Sequence, residues 1–229
     1  MRQINVSRRR GTGLGGAALA VSMLLGVSAC GSDTPAQTPA QAVEHDYQSY
    51  ASAVSNKNGE TAATWVNAKT LTYFDGLRDK ALDDDEKTLR KATPIDQLTV
   101  LSLRKNVPAE VLRTGTPQAI VASGVKNGAI GDGSLPQTGL SDVKVNGTQA
   151  TAQLKLGLED STQTMTIRFD REANRWKFDI SATVPAGNAT LEQIEKSNKV
   201  TAKAVVDQVL VSRYGAKEAK AIWTPIGRS

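Results

Sequence analysis

Hydrophobic positions change their period twice along this chain, and each change predicts a change of element. From about residue 41, Val43, Tyr47, Tyr50, Ala51 and Val54 recur three and four apart, which places them on one face of a helix that Asn58-Gly59 ends. A second helical stretch follows over roughly Thr61–Asn67. In the next, Leu71, Phe74, Leu77, Lys80 and Ala81 share a face, with Asp79 at its edge. Asp83-Asp84-Asp85-Glu86 reads as a cap and an acidic first turn, placed where a helix dipole favours negative charge. Thr93-Pro94 and Thr116-Pro117 each pair a capping threonine with proline at the first helical position, and start helices carrying Leu98–Leu101 and Ala119-Ile120-Ser123.

Near Gly139 the period falls to two. Ala150, Ala152, Leu154, Leu156 and Leu158 alternate with polar residues, as do Met165, Ile167 and Phe169, and then Trp176, Phe178 and Ile180. With a preceding strand at about Ser141–Val145, joined through Asn146-Gly147, this predicts an antiparallel meander of about four strands with one face on a core. Asp170–Asn174 is expected to form its last turn. After it the pattern returns to helix: Thr190 and Gln193 read as a capping box, Val200, Ala204, Val205, Gln208 and Val209 as an amphipathic stretch ending near Gly215, and Trp223-Thr-Pro-Ile226 as a terminal hydrophobic clip. Helices, then a meander, then C-terminal helix make the expected class α+β, with helices on one face of a curved sheet.

The N-terminal stretch belongs to neither pattern. Arg8, Arg9 and Arg10 precede a charge-free run from Gly11 to Gly26, which ends in Val27-Ser28-Ala29-Cys30. A basic start, a short apolar middle and small residues at a cleavage site predict a secretory signal over residues 1–29, and the apolar part is short for a membrane span. Val27–Cys30 also resembles the lipobox of bacterial lipoproteins, in which the cysteine receives a diacylglyceryl thioether and becomes the mature N-terminus. Cys30 is the one cysteine of the chain, and lipidation accounts for a thiol that cannot pair within it. The resemblance implies attachment at Cys30 to the extracytoplasmic face of a cell membrane. Ser7-Arg8-Arg9 is similar to part of a twin-arginine export signal, but Arg10, Gly11 and Thr12 follow where an apolar residue usually stands; both export routes stay open, with general secretion favoured. Residues 30–40, polar and proline-punctuated, are expected to act as a tether to a single domain over 41–226.

Charge then reads differently. Residues 1–29 carry four of the 28 basic side chains and none of the 23 acidic ones, so the remainder has 24 against 23, a net charge of +1. The precursor's basicity therefore points to no nucleic-acid partner. Residues 30–98 carry 11 acidic and 7 basic side chains and residues 99–229 carry 12 and 17, without a dense basic run, which favours a solvated surface over a lipid-binding face.

Catalytic chemistry has little to draw on. His45, the one histidine, sits off the apolar stripe between Glu44 and Asp46, no Gly-x-Ser-x-Gly elbow is present, and common zinc sites lack ligands. Asp83–Glu86 lacks the glycine and distant glutamate of a calcium loop, so no metal and no cofactor are expected. Gly11–Gly16 matches a dinucleotide fingerprint without the strand that gives it meaning. Gly128–Gly133 reads as a loop that could rim a cavity.

The element order resembles the cystatin-like cone of the NTF2-like superfamily, and within it a loose group of bacterial envelope proteins. Thr70-Leu-Thr-Tyr-Phe-Asp-Gly-Leu-Arg-Asp-Lys-Ala-Leu82, Leu98-Thr-Val-Leu101, Arg175-Trp-Lys-Phe-Asp179 and Trp223-Thr-Pro-Ile226 carry the resemblance. It implies a conical cavity between sheet and helices, for which Tyr47, Tyr73, Phe74, Trp176 and Phe178 are the candidate lining residues. It implies no reaction. The expected function is a lipid-anchored, non-catalytic carrier, sensor or assembly factor that binds a lipid or other amphipathic molecule, or an envelope protein partner. The competing expectation is a hydrolase or isomerase using a cavity Asp/Tyr pair, with Tyr47, Tyr50, Tyr73 and Asp75 as its early candidates.

Overall fold

Among the described residues seven helices precede the sheet, and most of them start where a side chain can cap them. The computed structural model describes residues 37–131, 139–155 and 164–228, all within the compact unit Gln37–Ser229. Helix α1 (Pro39–Ser55) begins with a reciprocal capping box between Thr38 and Gln41, so the helix starts inside the stretch expected to be tether. Asn58, Asn67, Asp85, Thr93 and Thr116 each accept an N–H at the starts of α2 (Gly59–Thr64), α3 (Ala68–Asp83), α4 (Glu86–Leu89), α5 (Pro94–Asn106) and α7 (Pro117–Lys126). Asn58 thus opens α2 rather than closing α1. Short α6 (Ala109–Thr114) has no side-chain cap and left no signal in the hydrophobic pattern.

The fold is α+β, as the periodicity predicts. Four strands, β1 (Ser141–Asn146), β2 (Gln149–Lys155), β3 (Thr164–Glu172) and β4 (Arg175–Phe178), form an antiparallel sheet in chain order. Ala150, Ala152 and Leu154 stand opposite Phe169, Ile167 and Met165, and Phe169 opposite Phe178, so the apolar alternation lies on one face. Leu156 and Leu158 lie outside the described residues. Val66 bridges to Phe178, and the Phe178 amide donates to the Trp65 carbonyl at 2.8 Å, covering the β4 edge.

Both hairpin loops are shifted from their expected places. The first is Gly147-Thr148, with Asn146 paired to Gln149 and the positive φ of 60° carried by Gly147. In the second, β3 runs on to Glu172, and Ala173-Asn174 alone turn the chain, both in the left-handed region at φ 49° and 62°. Alanine pays conformational strain there, which is why no glycine marked the turn. Ile180 leaves the sheet to open the 3-10 turn Ser181–Thr183.

Against the apolar face, α1 supplies Tyr47 and Tyr50. Tyr47 meets Phe169 and Phe178 edge-on, both at 6.1 Å between ring centres, and Tyr50 lies 5.2 Å from Phe178. The C-terminal helices differ most from expectation. Helix α8 (Val184–Asn198) starts well before Thr190, whose hydroxyl instead donates back to the Ala186 carbonyl inside the helix. Helix α9 (Ala202–Ala221) continues through a kink at Gly215, φ 79°. Its buried face carries Val205, Val206 and Leu210, while Val209, with Val200 before the helix, is exposed. Among the described residues no helix is long and apolar enough to cross a membrane.

One buried cation ties the ends of two helices. Arg104 of α5 donates to the carbonyls of Lys80 (2.9 Å), Ala81 (2.9 Å) and Asp84 at the end of α3, and of Ile222 (3.4 Å) and Trp223 (2.8 Å) at the end of α9. Burial pulls its pKa down and the nearby Asp84 charge opposes this. The C-terminal ends of helices carry partial negative charge, so these carbonyls serve the guanidinium in place of a paired carboxylate.

Candidate functional site

A groove runs along the sheet's second face. Alternation along β3 sends Thr164, Thr166 and Arg168 to the side opposite Ile167 and Phe169. The 3-10 turn and α8 follow β4, and residues of both line the groove together with these three. Two contacts seat α8 on α5. The Asn188 side chain accepts the Ile95 amide at 3.0 Å, and Gly187 stands where an added Cβ would lie 3.0 Å from the Ile95 side chain. Between β3 and α8 remains a trough of about 910 Å³, toward the upper end of the roughly 300–1,000 Å³ typical of small-molecule sites.

Its surface is divided. Ile95, Met165, Ala182, Pro185, Ala186 and Leu191 supply apolar wall, while Thr164, Thr166, Thr190 and Gln193 supply neutral hydrogen-bonding groups. Among the described residues Arg168 is the one charged residue lining it. A smaller recess of about 170 Å³ lies beside the trough and shares Arg168 with it; Lys69, Gln149, Thr151, Asp170 and Asp179 also line it.

The recess charges are largely spoken for. Asp170 accepts from Asn67 at 2.6 Å and pairs with Lys69 at 2.9 Å. Burial pushes the Asp170 carboxyl up, but the Lys69 and Asn67 hydrogen bonds outweigh it and leave it below the usual carboxylate range. The hydrogen bond to Asp170, with its charge, raises Lys69 correspondingly. Asp179 accepts from the Ser181 hydroxyl and from the Ala182 amide at 3.1 Å.

None of the aromatic residues expected to line a cavity lines this trough. Tyr47, Phe74, Trp176 and Phe178 are buried, and the space between α1 and the apolar sheet face is filled by rings. The Tyr47 hydroxyl is buried with no hydrogen-bond partner, and burial pushes its pKa up to about 12; burial, with the neighbouring Tyr47, raises Tyr50 as well. Tyr73 packs on Phe74 and donates to Asp96 at 2.7 Å. Burial and that hydrogen bond raise its pKa. Asp75 pairs with Arg78 at 2.9 Å. Cys30 lies outside the described residues.

Other polar candidates have structural employment. Asp83 binds Arg228 through both oxygens, Asp85 caps α4 and Glu86 pairs with Arg90. The His45 side chain is 66% exposed beside Asp46, whose other oxygen accepts the Trp176 amide. Among the described residues no group of three or more His, Cys, Asp or Glu stands together to hold a metal ion. Gly128 gives its carbonyl to Arg213 at 2.7 Å, and residues 132–133 of that loop lie outside the described residues. Comparison with protein-family models, curated proteins and solved structures found no match for this chain.

Proposed function

We propose that this protein is a lipid-anchored binding module of the bacterial cell envelope, held through Cys30 on the extracytoplasmic side, that carries or senses an amphipathic molecule. The observation that carries the reading is the trough between β3 and α8: apolar along its walls, polar along its rim and large enough for an alkyl chain. A non-catalytic role fits the chemistry around it. The trough's described lining holds no carboxylate, phenol or imidazole, Lys69 and Asp170 in the recess beside it pair with each other, and the Asp/Tyr pair that forms, Tyr73 with Asp96, stands elsewhere. The lipobox-like Val27–Cys30 supports the anchor. Helices followed by a four-stranded meander support a distant likeness to the NTF2-like cone, with the ligand displaced to the sheet's outer face.

Ala186 tests this directly, because it is exposed on α8 and lines the trough. The apolar fluorophore N-phenyl-1-naphthylamine is expected to bind the full chain saturably, one per protein. Ala186→Phe, which fills the trough from a helix position that tolerates a larger side chain, weakens that binding about tenfold or more with an unchanged melting temperature. Absence of saturable binding, or equal binding by the variant, would contradict the reading.

A further inference from the structure

The trough is joined to its polar recess by one cation, whose guanidinium has no hydrogen-bond or ion-pair partner among the described residues. Arg168 lines both spaces and is exposed. Its neighbours are already committed: Lys69 to Asp170, Asp170 to Lys69 and Asn67, and Asp179 to Ser181 and Ala182. No hydrogen bond or ion pair engages the Arg168 guanidinium among the described residues; on one side it faces the neutral Thr151, and on the other Asp179, whose amide donates to the Arg168 carbonyl at 2.9 Å and whose carboxylate, held by Ser181 and Ala182, lines the same recess. A molecule whose apolar part lies against Ile95, Ala186 and Leu191 therefore meets an uncommitted fork of five N–H donors at the recess end.

Resting on the binding reading above, we infer that the ligand is an anionic amphiphile, its alkyl chain in the trough and its carboxylate or phosphate head on Arg168. Guanidinium binds either anion through paired N–H bonds, which a neutral headgroup cannot return. The neutral rim of Thr164, Thr166, Thr190 and Gln193 can hydrogen-bond the uncharged part of a headgroup without favouring either sign of charge. The driving force divides accordingly: chain length sets the apolar term, at up to about fourfold in affinity per methylene buried, and Arg168 sets the preference for an anion.

The test uses the full chain with 11-(dansylamino)undecanoic acid, its neutral methyl ester, and dodecyl phosphate or inorganic phosphate as competitors. The acid is expected to bind about tenfold tighter than the ester at low salt, with the difference shrinking as salt rises. Dodecyl phosphate displaces it, and inorganic phosphate, lacking the chain, does not. Arg168→Gln removes the preference for the acid while ester binding stays within about twofold; Arg168→Lys keeps part of it. An ester bound as tightly as the acid, or an acid-to-ester ratio unmoved in Arg168→Gln, would overturn the anionic assignment and leave the trough standing as a binding site; displacement by inorganic phosphate alone would overturn the amphiphile and leave a site for a free anion. Failure of both probes to bind the unaltered protein would remove the binding reading itself, and this inference with it.

Discussion

Arg104→Met is expected to lower the melting temperature by about 6–20 °C. The side chain is 9% exposed and donates to five carbonyls from two helix ends. Methionine fills similar volume but leaves those carbonyls without a donor, at a cost of about 3–5 kcal/mol, as for other broken buried charge networks. For a chain of this size each kcal/mol moves the transition by about 2–4 °C, and the loss is a sizeable share of the roughly 5–15 kcal/mol that holds a domain folded. Arg104→Lys restores the charge yet has three donors on one atom, so it cannot span the ends of α3 and α9 and recovers only part of the loss. Thermal unfolding followed by circular dichroism reads all three proteins; a Met variant as stable as the parent would show that the carbonyls find water instead.

Trp223→Ala carries the second large effect, about 3–5 kcal/mol. The indole is 6% exposed and Arg90 lies 3.6 Å from its ring centre, so the substitution opens a cavity and removes a cation–π contact together. Beyond it the chain is strapped to the end of α3: the Ile226 and Gly227 amides donate to Ala81 and Leu82, Arg113 donates to the Gly227 carbonyl at 3.1 Å, and Arg228 binds Asp79 and Asp83. Because Arg104 binds the Trp223 carbonyl, the two sites share a network. The double variant Arg104→Met/Trp223→Ala should therefore lose less stability than the sum of the single losses. Urea titration of the four proteins measures this; strict additivity would mean that the strap and the clamp act independently.

The features legible in the chain were those set by neighbours in sequence. Thr93-Pro94 and Thr116-Pro117 cap the helices they announce because the accepting oxygen and the donated N–H lie three residues apart. The strand faces followed from strict alternation at Ala150–Leu154 and Ile167–Phe169, and the C-terminal clip from an apolar tail that had to dock somewhere. What escaped depends on distant partners. Helix α8 starts at Val184 without a side-chain cap, and Gly187 and Asn188 within it seat the helix on Ile95. Ala173-Asn174 turns without glycine because long pairing of β3 with β4 fixes the loop. Arg104 carries no signal in the sequence, since nothing near it along the chain shows that two helix ends converge there.

The trough was invisible for a related reason. Its lining comes from residue 95, from 164–168 and from 182–193, in threonines, alanines and single apolar residues that carry no motif. Tyr47, Phe169 and Phe178 pack together on the inner side of the sheet, Tyr47 edge-on to both of the other rings.

Methyl-selective NMR of the full chain titrated with dodecanoate measures where that ligand sits. Binding in the trough shifts the methyl signals of Ile95, Met165, Ala182, Ala186 and Leu191 together, with one saturating curve, and leaves core methyls such as those of Val43 and Leu77 in place. Shifts that do not saturate, or that cluster away from β3 and α8, would contradict the account.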